Sequence, residues 1–95
     1  MSCDNNIPSS KTLMNSVKIA IKEDKAIMLD YYMDSISGKC IIGKNTDTDE
    51  MMLVKSEEEY TSPISKIYKV EKEYIVTTEN SIYIISSSIV TKKIS

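Results

Sequence analysis

The loop NTDTDE, residues 45–50, places Asn45, Asp47 and Asp49 at every second position, the first three ligand spacings of a calcium-binding loop. The rest of that chemistry is missing. The sixth position must turn sharply and is normally glycine, but here it is Glu50; the twelfth should supply a bidentate carboxylate and is Ser56. The overlapping stretch GKCIIGKN, residues 38–45, has the glycine and lysine spacing of a phosphate-binding loop, with Asn45 in the place of its hydroxyl residue. Such a loop works only between a buried strand and a helix N-terminus, whose amides and dipole hold the phosphate. Here Cys40-Ile41-Ile42 is itself strand-like, and NTDTDE does not begin an amphipathic helix. Both stretches are expected to be a strand and its hairpin loop, with no metal or cofactor bound.

Nucleophilic and redox chemistry fare no better. In EDKAIMLDYYMDSISGKC, residues 23–40, a short apolar run leads to Tyr31, Tyr32 and a lone Cys40. A thioredoxin-type site needs two cysteines two residues apart at a helix start, which lowers the pKa of the first. Residues 34–39 supply no second cysteine, so the run reads as core strand. The fourteen serines include no G-x-S-x-G and no S-x-x-K arrangement. Glu57-Glu58-Glu59 is a run of like charges, which belongs in a solvated loop.

The absences exclude more. The chain has no His, hence no imidazole base or ligand near neutral pH, and no Arg, hence no bidentate fork for phosphate, carboxylate or guanine. All twelve cations are Lys, and the net charge of −2 gives no bulk attraction to nucleic acid or to an anionic membrane. No apolar stretch is long enough for a membrane span. Cys3 and Cys40 lie far apart and are expected to be free thiols in a reducing, cytoplasmic setting. An enzyme is therefore not expected.

Ninety-five residues make one small domain with a modest core. Residues 1–8 read as a polar, disordered leader, 9–90 as the domain and 91–95 as a polar tail. Ser9 or Ser10 can cap a helix over about 10–24, with Leu13, Val17, Ala20 and Ile21 as its inward face and Lys18, Lys22 and Lys25 turned away. From Lys25 the period becomes two. AIMLDYYM, KCIIGK, MMLVKS, ISKIYKV, YIVTT and SIYIIS then read as six strands, rich in the Ile, Val, Tyr and Thr that suit a pleated surface. The connectors Glu71-Lys72-Glu73 and Glu79-Asn80 are short enough to force antiparallel neighbours, with Asn80 suited to a positive φ. Ile75, Ile82 and Ile84 are candidate inward positions, with Tyr83 on the other face. The expected fold is mainly β, a helix followed by a six-strand antiparallel meander that forms a small SH3-like barrel or a curled sheet.

Tyrosine is the one abundant aromatic, six in all. Its flat face and polar tip suit interfaces. Tyr32, Tyr60 and Tyr83, with Asn80, are the candidate partner- or ligand-binding residues.

The stretches EDKAIMLDYY, EEEYTSPISKIYKV and YIVTTENSIYII, spread over about residues 16–86, are similar to short proteins of unassigned activity from large nucleocytoplasmic DNA viruses. The resemblance implies a viral source, in host cytoplasm or virion, and carries over no catalytic residue. The expected function is a non-enzymatic interaction or scaffold module, a virion component or host-factor antagonist, that binds a protein partner or itself. The alternative is a protein that binds or sequesters a small nucleotide-like ligand. Membrane and nucleic acid are not expected as partners.

Overall fold

The computed structural model describes residues 8–94. Among them the elements run α1 (Ser10–Glu23), β1 (Ala26–Met28), α2 (Tyr32–Ser37), β2 (Ile41–Asn45), β3 (Met51–Val54), β4 (Ile64–Val70), β5 (Glu73–Thr78), β6 (Ser81–Ser86) and β7 (Thr91–Ile94). The strands form two open mixed sheets rather than a closed barrel: one in the order β1-β6-β5-β4, the other β3-β2-β7. The β4-β5-β6 run is the antiparallel meander expected from its short connectors, but β1 joins β6 and β7 joins β2 in parallel. The chain therefore crosses between sheets three times, after β1, β3 and β6.

Period-two alternation assigns the faces of the larger sheet. Glu73, Ile75 and Thr77 on β5 pair with Ser86, Ile84 and Ile82 on β6, and this face meets α1. Tyr74 and Val76, opposite Ile85 and Tyr83, look the other way, onto Ile42 and Leu53 of the smaller sheet. Both faces are covered, so Ile75, Ile82, Ile84, Val76 and Ile85 are all fully buried. Tyr83 does not face solvent either; its ring meets that of Tyr31 edge to face, at 5.5 Å and 85°.

The helix α1 forms as the sequence indicates. Ser9 caps it, accepting the Thr12 amide, and Asp24 closes it with φ 56°. Its rotation differs from the expectation. Thr12 and Ser16 face the sheet and are fully buried, whereas Val17 and Ile21 are exposed. The reason is polar. The Thr12 hydroxyl donates to Glu73 Oε1 at 2.5 Å, and the Ser9 amide donates to the same oxygen at 3.3 Å. With the Thr12 proton committed, the Ser9 hydroxyl must donate to Thr12 Oγ1. At the other end, Lys25 Nζ donates to the Thr78 carbonyl at 2.6 Å. The helix thus lies along β5 with both ends pinned, and the small Thr12 and Ser16 side chains let it approach closely.

Three further segments depart from the sequence reading. AIMLDYYM is a strand only as far as Met28; Tyr32–Ser37 turn into a short helix whose C-cap is Gly38, φ 79°. The change of direction sends Tyr31 into the space between the sheets and Tyr32 to the α1 side, where its hydroxyl donates to Glu73 Oε2 at 3.1 Å. The β5-β6 turn is closed not by a left-handed Asn80 but by Thr78 Oγ1, which accepts the amides of Asn80 and Ser81. Thr91–Ile94, read as tail, form β7. The expected leader falls mostly outside the described residues; Pro8, its last residue, is buried.

Because both faces are packed, Ile84→Ala should cost about 2–5 kcal/mol. Tyr83→Ala should also destabilise, since it removes a ring from between the sheets. Urea denaturation checks both; a cost under about 1 kcal/mol for either would mean that its face is open to water.

Candidate functional site

The smaller sheet is covered on one side only. Ile42 and Leu53 point to the core, so Gly43, Asn45, Met52 and Val54 point outward. At the centre Gly43 has no side chain, and Ile94 and Val54 close over it. A Cβ there would stand 2.9 Å from Ile94 Cδ1 and 3.0 Å from Val54 Cγ2. This close approach, rather than a turn, is what the glycine serves. Along it lies an open groove of about 560 Å³, lined by Met52, Val54 and Ile94 with Asn45, Ser56, Glu57 and Tyr60.

Loop 55–61 makes one wall. It folds back on the free edge of β3: the Thr61 amide donates to the Leu53 carbonyl, the Leu53 amide donates to Thr61 Oγ1, and Tyr60 bridges to Val54. Tyr60 is thereby held beside the groove with 58% of its surface exposed. Lys55 anchors the loop base. Its ammonium lies 3.2 Å from Asp34, 3.6 Å from Glu59 and 4.5 Å from the centre of the Tyr31 ring. Burial works against its charge, but the Asp34 hydrogen bond and the Glu59 carboxylate outweigh it and raise the Lys55 pKa. For Tyr31 burial acts the other way and raises the pKa, against the pull of Lys55. Glu57 and Glu58 form no ion pair among the described residues, so the rim is acidic.

Of the four residues singled out from sequence, only Tyr60 lines this groove. Asn80 is exposed at the β5-β6 turn, its Nδ2 donating to Ser62 Oγ. Tyr83 lies between the sheets. Tyr32 is buried; desolvation first, and then Glu73, push its pKa up to about 12. Sequence reasoning missed Met52, Val54 and Ile94. The alternation in MMLV does place Met52 and Val54 on one face, but no local signal assigns Ile94 to a strand.

The decoy motifs resolve physically. Gly38 ends α2 and residues 41–45 are β2, so a strand runs through the phosphate-loop spacing. Asn45 Oδ1 accepts the amides of Asp47 and Thr48, which makes NTDTDE a self-bonded hairpin loop. Among the described residues no group of three acidic or cysteine side chains could hold a metal, and no helix is long and apolar enough to cross a membrane. Comparison with family models, curated proteins and solved structures finds no match for this chain.

Cys40 is free and buried, its Sγ facing the Tyr31 carbonyl at 3.8 Å. Desolvation, with Asp34 adding and Lys55 opposing, pushes its pKa to about 11. At pH 8 such a thiol is ionised to roughly one part in a thousand. In a Cys3→Ser background, Cys40 should react with a disulfide reagent at least about a hundredfold more slowly in the native state than in urea, faster as pH rises. Labelling at the unfolded rate would show the thiol to be open.

Proposed function

We propose that the protein is a non-enzymatic interaction module that holds a short segment of a protein partner in the groove beside Tyr60. The observation that carries this reading is the composition of the groove. A half-buried apolar floor of Met52, Val54 and Ile94 lines an open groove on a sheet whose other face is packed, with an exposed aromatic wall and an acidic rim. Apolar anchors and a rigid tyrosine are what protein interfaces use, and Glu57 favours a cationic neighbour. The same carboxylate repels phosphate, which argues against a nucleotide-like ligand in this groove. The buried, protonated Cys40 thiol and the Tyr32 hydroxyl committed to Glu73 support a non-catalytic role.

Edge-to-edge self-association is disfavoured at two of the four sheet edges. The edge strands β4 and β7 carry Lys66, Lys69, Lys92 and Lys93, charges that oppose edge-to-edge pairing of two copies. The resemblance to proteins of large nucleocytoplasmic DNA viruses would make the partner a host or virion protein.

Selection from a random peptide library tests the proposal. Selected sequences should share an apolar residue next to a Lys or Arg. Met52→Asp and Tyr60→Ala should each weaken the selected peptide by about tenfold or more, with little change in melting temperature. Absence of a consensus, or binding indifferent to both substitutions, would contradict it.

A further inference from the structure

A second unpartnered surface lies on α1, away from the groove. Met14, Val17 and Ile21 are 61%, 47% and 78% exposed. Their spacing of three and then four puts them on one stripe, the seam of a two-helix coiled coil, opposite the Thr12–Ser16 face that meets the sheet. An exposed apolar stripe on a helix whose buried face is hydroxylic is the reverse of the ordinary arrangement. It exists because Glu73 fixes the rotation.

The charges beside the stripe identify the occupant. Lys18 and Lys22 follow Val17 and Ile21 of the seam, and Lys11 lies seven residues before Lys18 on the same flank. None of the three forms an ion pair among the described residues. The next member of the series, Lys25, is taken up by Glu23 and the Thr78 carbonyl. The opposite flank carries Leu13 and Ala20 and no carboxylate within the helix; the exposed Asp24 follows Ile21 only at the C-cap. A second copy is a poor occupant: antiparallel, it sets Lys flank against Lys flank, and parallel, it sets Lys against Leu13 and Ala20. A membrane surface is also a poor fit. The stripe is three side chains wide at most, has no Trp or Phe, and has cations on one border only.

We propose that α1 docks an acidic amphipathic helix of a different protein, whose apolar seam packs on Met14, Val17 and Ile21 while its carboxylates face Lys11, Lys18 and Lys22. To such a partner α1 offers fourteen residues, about 21 Å of helix, and three apolar anchors.

The probe is a labelled heptad peptide with Leu at the seam positions and Glu on both flanks, whose own like charges keep it monomeric. Its counterpart replaces Glu by Lys. Titrated against the whole 95-residue chain, the acidic peptide should bind saturably and lose affinity as salt rises from about 50 to 500 mM. The basic one should bind about tenfold or more weakly. Met14→Ser with Ile21→Ser should abolish binding without moving the melting temperature, since both side chains are exposed. Lys11→Glu with Lys18→Glu should reverse the preference between the two peptides. Equal affinity for both peptides, or no saturable binding at about 1 mM, would overturn the proposal. So would a dimer in sedimentation equilibrium, or binding to phosphatidylserine vesicles, that Met14→Ser with Ile21→Ser removes, since a second copy or a lipid surface would then be the occupant.

Discussion

The Glu73 carboxylate takes the Thr12 hydroxyl and the Ser9 amide on one oxygen and the Tyr32 hydroxyl on the other. It is buried and forms no ion pair among the described residues. Desolvating a carboxylate costs several kcal/mol. Hydrogen bonds to a charged acceptor return about 1.5–3 kcal/mol each. The positive end of the α1 dipole adds a smaller amount; α1 has no acid in its own first turn, and Glu73 supplies one from more than sixty residues away. These quantities are of similar size, so the cluster contributes less to net stability than to choosing one arrangement. It joins α1, α2 and the β4-β5 hairpin at a single point.

The exposed surfaces follow from that choice. Gripped at Ser9 and Thr12, α1 must turn its small hydroxyl residues to the sheet and Met14, Val17 and Ile21 to solvent. Pairing Tyr32 with Glu73 sends its neighbour Tyr31 between the sheets, where it meets Tyr83 and lies under the Lys55 ammonium. Lys55 in turn anchors the loop that holds Tyr60 at the groove. The two candidate binding surfaces, on α1 and on the smaller sheet, lie on opposite sides of a three-layer molecule, and neither needs a catalytic group.

Local patterning made the meander legible. ISKIYKV, YIVTT and SIYIIS became β4, β5 and β6 because dense β-formers joined by connectors of two or three residues permit little else. The buried set Ile75, Ile82 and Ile84 followed from the same alternation. What failed depended on distant partners. The rotation of α1 is set by Glu73, whose burial the charged string EKE conceals. Tyr31 and Tyr32 alternate as in a strand, yet they straddle a sheet from the start of a short helix. β7 is a polar TKKI that becomes a strand only because β2 offers an open edge, and with it Ile94 enters the groove. Of the tyrosines picked for their flat face and polar tip, only Tyr60 lines the groove. Its partners in the groove were invisible until the second sheet was placed.

The buried Glu73 cluster, rather than apolar contact alone, fixes α1 on the sheet. Native-state hydrogen exchange of Glu73→Leu tests it most directly, because leucine keeps the bulk and removes every acceptor. Amides of α1 should lose about a hundredfold in protection while those of β5 and β6 keep most of theirs, as the helix detaches locally. Unchanged protection across α1, with stability equal to or above that of the parent, would show that apolar packing alone sets the helix and that the carboxylate is dispensable.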